Sequence, residues 1–360
     1  MKNYDGIALF SGGLDSILAA RLLMEQGRSI KCLHFFSPFF GHPKRIPHWA
    51  KEYGLDIDPV DVSAEFVELL KRGPAHGFGS AMNPCVDCKI VMISRARELM
   101  SHYGAKFIVS GEVLGQRPMS QRRDTLNAIR RDADVKDVLL RPLSAKLMDP
   151  TPMEESGLVD REKLKGFNGR GRKDQLALAE HFGITEIPTP GGGCKLTEKE
   201  NTRRFWPVLT RFDKPTVNDF LLADTGRQFW MDDRWLAIGR HKSDNDAYAE
   251  LQQEGDLRFR VAGFPSPIAI GRSSRPWDAE SVQKAAAFMA SYSPKAVRAA
   301  EEGETISVRV TQGGQTYMVQ VKPSRETEFA EPTWEAARDE LYALRKPAKK
   351  NEEQAESGLE

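Results

Sequence analysis

Two sets of residues in this sequence have types and spacing suited to chemistry: the run Ser11-Gly12-Gly13-Leu14-Asp15-Ser16, and the cysteines of Asn83-Pro84-Cys85-Val86-Asp87-Cys88-Lys89 together with Cys194 in Thr189-Pro190-Gly191-Gly192-Gly193-Cys194. In the first, two glycines let backbone N–H groups approach a phosphate closely, Ser11 and Ser16 add hydroxyl donors, and a helix starting near Asp15 contributes its positive end. Asp15 has two readings: an oxygen ligand for a magnesium ion bridging a pyrophosphate, or an acid that complements the dipole in a first helical turn. The run is neither GxxxxGKS/T nor GxGxxG, so a Walker-type site and a nicotinamide dinucleotide fingerprint are excluded. In the second set, a CxxC turn stands just before a helix, where the dipole and Lys89 favour thiolates. A zinc ribbon would need a second CxxC, which is missing, and three thiols leave one coordination position open. Cys32, within a strand pattern, reads as a small buried hydrophobe.

These residues need elements to hold them. Gly6-Ile7-Ala8-Leu9-Phe10 is a short continuous apolar run, as expected of a buried parallel strand, and it stops at the Ser-Gly-Gly turn. The same alternation recurs through a strand at 30–36, a helix at 47–53, a strand at 57–62, a helix at 64–71, a long helix from about Lys89 to Tyr103 and a strand at 107–109. This order predicts an α/β fold: a doubly wound parallel sheet with helices on both faces. Ligands bind such sheets at the carboxyl ends of the strands, which is where Ser11 to Ser16, Phe35 and Ser110-Gly111-Glu112 fall, so three loops are expected to meet in one crevice.

The Ser11–Ser16 run resembles the SGGxDS loop of the PP-loop ATP pyrophosphatases, and the three cysteines resemble those of the tRNA thiouridylase (thiouridine synthase-like) group within them. Ser110-Gly111-Glu112-Val113-Leu114-Gly115-Gln116-Arg117-Pro118, Arg141-Pro142-Leu143 and Gly169-Arg170-Gly171-Arg172-Lys173 ahead of Gln175 strengthen the likeness, which spans about residues 5 to 198. The resemblance implies an adenine nucleotide α-hydrolase-like fold and cleavage of ATP between its α and β phosphates, with Mg2+ and AMP left on the substrate. It implies nucleotide binding by Ser11, Gly12, Gly13, Asp15, Ser16, Phe35 and Gly111. Cys85, Cys88 and Cys194, with Asp87, would be the catalytic residues, the three thiols holding a 4Fe-4S cluster. A persulfide relay through Cys88 and Cys194 stays open beside the cluster. The expected reaction is tRNA thiolation to 2- or 4-thiouridine with a separate sulfur donor. Two alternatives stand: an amidating PP-loop synthetase that uses ammonia, and an RNA-binding adaptor whose PP-loop domain is inactive.

At 360 residues the chain is long enough for two cores. Residues 1–200 form the expected PP-loop domain and 201–225 the expected linker. Residues 226–325 form a smaller α+β domain, with a hairpin at Gln228–Arg240 and another at Ile306–Val321 across Gly313-Gly314. Residues 326–360 read as a short helix and a disordered tail. Gly239-Arg240-His241-Lys242-Ser243-Asp244-Asn245-Asp246 and Asp256-Leu257-Arg258-Phe259-Arg260-Val261 resemble the NFACT-R domain, an RNA-binding module. That likeness implies phosphate contacts from Arg240, His241 and Lys242, to which the Gly-rich loop adds Arg170, Arg172 and Lys173. Fifty-two basic against fifty-one acidic residues leave a net charge of +1, so nucleic-acid binding must come from local patches. No apolar run is long enough to span a bilayer and no signal-peptide core follows Met1, so a cytoplasmic protein without a membrane partner is expected. A homodimer stays open.

Overall fold

The computed structural model describes residues 3–189 and 193–344. The chain divides into two compact units, Met1–Thr197 and Glu198–Glu360. In the first unit the order is β1 (Gly6–Leu9), α1 (Leu14–Glu25), β2 (Ile30–Phe36), α2 (Ile46–Tyr53), β3 (Asp56–Asp61), α3 (Ser63–Arg72), α4 (Cys85–Tyr103), β4 (Phe107–Val109), α5 (Arg123–Asp132), β5 (Leu139–Leu140), α6 (Pro152–Glu155) and α7 (Lys173–His181). The strands form one parallel sheet in the order β3-β2-β1-β4-β5. Gly6 pairs with Ile30 on one side and with Phe107 on the other, so β1 is central and both its faces are covered. Such a strand must be apolar throughout, and Gly6 has a further reason to lack a side chain: a Cβ there would sit 2.4 Å from the Phe107 ring. Ile17, Leu18 and Leu22 of α1 pack with Ala8, Phe107 and Val109 in the core of this unit. The chain order reverses between β1 and β4, which makes the carboxyl end of β1 a switch point where loops diverge and leave a crevice.

The second unit holds α8 (Lys199–Arg211), α9 (Val217–Asp224), β6 (Arg227–Met231), β7 (Arg234–Ile238), α10 (Lys242–Leu251), β8 (Leu257–Val261), β9 (Ala269–Ser273), α11 (Ala279–Ala290), α12 (Pro294–Glu301), β10 (Ile306–Gln312) and β11 (Gln315–Val321). Its six strands are antiparallel, ordered β11-β10-β8-β9-β7-β6. Alternation along β8 and β10 buries Leu257, Phe259, Val261, Ile306, Val308 and Val310 with Ala285, Ala286 and Met289 of α11. Both expected hairpins form, with Asp232 at φ +50° in the first turn and Gly313-Gly314 at φ +53° and +80° in the second.

The expected fold class holds: a doubly wound parallel sheet and a second, smaller α+β unit. The segment 201–225 is not a linker. It folds as most of α8 and all of α9, and Pro207 lies inside α8. The reason is a stripe of Thr202, Phe205, Trp206 and Leu209, spaced i, i+3, i+4, i+7 and buried, whose packing outweighs the bond that Pro207 removes. Thr216 and Asp219 then close a capping box that starts α9. Residues 334–344 are helical, and the expected tail from 345 onward lies outside the described residues. Among the described residues no helix is long and apolar enough to cross a membrane.

Candidate functional site

The turn after β1 is held open by its own hydroxyls. Ser16 Oγ donates to the Gly13 carbonyl at 2.7 Å, and Ser11 Oγ lies 3.3 Å from Ser16 Oγ and accepts from Gly13 N–H at 3.3 Å. Gly12 has φ +77°, and a Cβ on it would meet the Trp49 ring at 2.6 Å, so both conformation and space require glycine. Gly13 is the N-cap of α1 and supplies no side-chain cap, which leaves the positive end of the helix facing the turn. His34 braces the turn from below. Its Nε2 accepts from His42 N–H at 2.8 Å, so Nδ1 carries the proton and donates to the Phe10 carbonyl at 3.0 Å. Burial lowers the His34 pKa and keeps the ring neutral.

Two more loops reach this turn. A Cβ at Gly111 would lie 2.7 Å from the Asp15 carbonyl carbon and 2.8 Å from Ser16 Cα, so the 110–112 loop touches the start of α1 directly. Gln116 Nε2 donates to Asp15 Oδ2 at 3.1 Å. Leu114 bridges Asn168, and its carbonyl accepts from Gly169 N–H at 2.8 Å, which carries the 169–173 segment to the same place. Burial pushes the Asp15 carboxyl above its usual range, against the pull of Gln116, Arg172, Gln175 and Arg117. Asp15 Oδ1 and Gln175 Nε2 are buried, and the amide draws on the carboxyl without either atom completing a hydrogen bond of good geometry. An acceptor and a donor left open beside an uncapped helix end suit a ligand with phosphate oxygens and a bound cation. Arg172 is half-buried, whereas Arg170 and Lys173 are exposed. Phe35 sits at the carboxyl end of β2 but is buried, so it can only be a wall.

The cysteine segment lies on the other side of the 110–112 loop. Glu112 is buried and ion-paired to Arg141, whose Nε donates to Oε2 at 3.0 Å, while Oε1 completes no full hydrogen bond. Burial pushes the Glu112 carboxyl up, but Arg141 and Lys89 outweigh it and hold it below the usual range. Lys89 follows Cys88 in α4, so Gly111 and Glu112 link the phosphate turn to the thiols. The helix begins at Cys85 itself, one turn earlier than expected. Asn83 Nδ2 donates to Cys85 Sγ at 3.0 Å. Cys88 lies within the electrostatic range of Lys89, Cys194 and Cys85, so the three expected thiols share one neighbourhood. At Cys88, a half-buried residue whose sulfur is shielded from solvent, desolvation outweighs Lys89 and pushes the thiol up, opposite to the thiolate expected from the dipole and Lys89. Lys195 N–H donates to the Phe39 carbonyl at 2.8 Å and fixes the segment after Cys194. Asp87 does not face the thiols: its carboxylate accepts from Ala75 N–H at 2.8 Å and His76 N–H at 3.1 Å, a clamp on the preceding loop. Cys32 is fully buried, as expected, and its thiol is pushed up to about 12. Among the described residues, no three His, Cys, Asp or Glu side chains form a site for a single metal ion.

Sequence reasoning missed His34 and the Glu112–Arg141 pair as supports. A histidine in the otherwise apolar Cys32-Leu33-His34-Phe35-Phe36 was the available signal for the first. In the second unit, Arg240, His241 and Lys242 are exposed around the start of α10. Asp244 Oδ2 accepts from Arg240 N–H at 2.7 Å and His241 N–H at 3.1 Å, and Lys242 lies 3.7 Å from Asp246. Asn245 lies inside α10, and its Oδ1 accepts from Ile268 N–H at 2.9 Å, tying the helix to the segment before β9.

Residues 2–148 match the family described as ThiI, thiamine biosynthesis protein. A protein of Thermococcus kodakarensis described as a probable tRNA sulfurtransferase is 30% identical over 142 residues, 38% of this chain and 36% of that protein. A tRNA-specific 2-thiouridylase MnmA of Nitratidesulfovibrio vulgaris is 33% identical over 107 residues, 28% of this chain and 31% of that protein. This chain thus spans about a third of the length of the curated relatives it matches. A solved structure from Methanocaldococcus jannaschii, titled a predicted subunit of tRNA methyltransferase, covers 49% of this chain and 75% of its own at 17% identity, with a TM-score of 0.32.

Proposed function

We propose that this chain, whose residues 2–148 match the ThiI family and are similar to tRNA sulfurtransferases and a tRNA 2-thiouridylase, adenylates a uridine carbonyl of tRNA with ATP and replaces that oxygen by sulfur. The observation that carries the proposal is the 110–112 loop, in which Gly111 abuts Asp15 and Ser16 while Glu112 lies within electrostatic range of Lys89, the residue after Cys88. Phosphate-binding and sulfur-handling groups therefore border a single loop, as the two halves of this reaction require.

In the first half the uridine carbonyl oxygen attacks the α phosphorus, a new O–P bond forms, and the α–β anhydride bond breaks with its electron pair leaving on pyrophosphate. The N–H groups at the start of α1, the Ser11 hydroxyl and the cation Arg172 bind and orient the phosphates, and they meet the charge that develops on the leaving oxygens. Asp15 is the residue suited to hold Mg2+ there. In the second half a sulfur nucleophile attacks the activated ring carbon and AMP departs with the former carbonyl oxygen. Cys85, Cys88 and Cys194 would hold a 4Fe-4S cluster, whose open position supplies a place for the incoming sulfur. The donor set fits in kind, since all three side chains are soft sulfur ligands in one neighbourhood. The persulfide relay uses Cys88 and Cys194 of the same set, with a cysteine desulfurase-type donor outside the chain. Residues of the second unit would hold the RNA, in line with its NFACT-R-like motifs.

The test is one assay with three readouts, pyrophosphate release, AMP release and thiouridine by nucleoside mass spectrometry, on an unmodified tRNA transcript with ATP and sulfide. The wild type should give all three, and Cys85→Ala, Cys88→Ala and Cys194→Ala should each keep pyrophosphate release and lose both AMP release and thiouridine. AMP release without thiouridine, unchanged when all three cysteines are replaced, would instead favour amidation, and absence of ATP cleavage would leave the adaptor.

A further inference from the structure

Three strands of the second unit present a face on which arginines stand side by side without acids. The residues of β8, β10 and β11 that alternate away from the core are Arg258, Arg260, Ser307, Arg309, Thr311, Thr316, Met318 and Gln320. Thr311 and Thr316 hydroxyls 3.0 Å apart, and Ser307 Oγ donating to Gln320 Oε1 at 2.9 Å, confirm the shared face. None of the eight is Asp or Glu, although the chain as a whole carries 51 acids against 52 bases. Arg260 lies directly opposite Arg309 in the ladder, and Arg258 opposite Thr311. Like charges in directly opposed positions destabilise a sheet, and among the described residues no carboxylate comes within ion-pair distance of Arg258, Arg260 or Arg309. An anion held between Arg260 and Arg309 would offset that repulsion.

The same two arginines line an open cleft of about 530 Å³ together with the Gly263-Phe264-Pro265 turn. Phe264 is half-buried and packs against the core of this unit, which holds the turn in place beside the arginines. Guanidinium groups in a row suit a chain of phosphodiesters with unstacked bases, where the phosphates take the charge and the guanidinium planes offer stacking surfaces. The start of α10 is a poorer match, since Asp244 and Asp246 already stand among Arg240, His241 and Lys242.

We propose that the exposed face of β8, β10 and β11, centred on Arg260 and Arg309, is the RNA-binding surface of the second unit, taking the phosphate backbone of a single-stranded or looped segment. This rests on the reading of that unit as an RNA-binding module and moves its contacts from the start of α10 to the sheet. The experiment is fluorescence anisotropy on the full chain at several salt concentrations, with a labelled oligouridylate and with an unmodified tRNA transcript. Loss of two single-strand phosphate contacts in R260A/R309A should weaken binding at least about tenfold and lower the slope of log affinity against log salt by about 1.4. R260K/R309K should keep most of the slope, and R240A/K242A should change affinity less than about threefold. The unfolding temperature of R260A/R309A should not fall, because the like-charge pair is gone; if it does, Arg309→Gln alone carries the test, with a slope change of about 0.7. Wild-type affinity and slope in R260A/R309A would overturn the sheet face and leave the RNA-binding reading intact, pointing the arginines to an acidic protein instead. A full chain that binds neither RNA at low salt would overturn both.

Discussion

Each unit contains a buried arginine paired with carboxylates, and the two networks are finished to different degrees. In the second unit Arg272 donates from Nε and Nη2 to Asp256 at 2.9 and 2.6 Å, from Nη1 to Asp219 and Asn218 at 2.7 and 2.8 Å, and from Nη2 to the Leu251 carbonyl at 2.9 Å. That guanidinium is fully used. In the first unit Arg141 donates to Glu112 Oε2 and to the Leu126 carbonyl, and Glu112 Oε1 is buried with only the nearby Ser110 hydroxyl drawing on it, at a geometry short of a full hydrogen bond. A closed network fixes a fold, whereas an open one keeps hydrogen-bonding capacity for something that arrives.

The largest expected effect tests this difference directly. Arg272→Ala leaves Asp219 and Asp256 buried without their cation and should cost about 3–5 kcal/mol in denaturant unfolding, as measured for broken buried pairs. Molecules that remain folded should release AMP at the wild-type rate. Glu112→Gln keeps the shape and one hydrogen bond while removing the charge that faces Arg141 and Lys89, and it should lower AMP release in folded protein. Equal loss of AMP release in folded Arg272→Ala and Glu112→Gln would erase the distinction between the closed and the open network.

A second effect, smaller in free energy, belongs to the open side alone. Gly111→Ala would force a Cβ to within 2.7 Å of the Asp15 backbone, so the loop or the start of α1 must shift. Misplacement on the scale of 1 Å at a reacting centre costs about 100-fold in rate. AMP release should fall by about that factor, and because the added Cβ meets backbone rather than a yielding side chain the unfolding midpoint should fall as well. Gly171→Ala, where nothing lies within 4 Å of the added Cβ, is the matched control and should leave the rate within about twofold.

The first unit was legible because its signals are local and repeat. Continuous apolar strands, the Ser11–Ser16 turn and the CxxC spacing each occupy a few adjacent residues, and parallel-sheet topology dictates that their loops meet. What the sequence hid depends on burial. Asp87 sits between two cysteines yet turns to cap a loop, and Cys88 is the right residue type in a place that opposes its ionisation. The linker expectation fails over α8 because the buried stripe at 202, 205, 206 and 209 keeps Pro207 inside a helix. The arginine face escaped notice because Arg258, Arg260 and Arg309 become neighbours only through the register of β8 with β10, about fifty residues apart in sequence.

The smallest effect concerns what braces the phosphate turn, and its sign follows from protonation. His34 donates from Nδ1 to the Phe10 carbonyl and accepts at Nε2 from His42 N–H, so it holds both bonds only while neutral. Burial depresses its pKa below the ordinary value of 6.5, with the Phe10 bond acting in the opposite sense. Above about pH 6.5 neither the folded nor the unfolded state binds the proton, and the brace is fully present. As pH falls below that value the unfolded chain takes up a proton first, so stability is lost progressively towards the folded-state pKa. His34→Gln offers an amide donor and a carbonyl acceptor at similar reach without titrating. The wild-type unfolding temperature should therefore decline between pH 7 and pH 5 more steeply than that of His34→Gln, and the acid limb of AMP release should follow the same difference. Parallel curves would mean that the ring supports the turn by packing against Phe10 and Trp49 alone, whose ring centroids lie 6.2 and 4.9 Å from it.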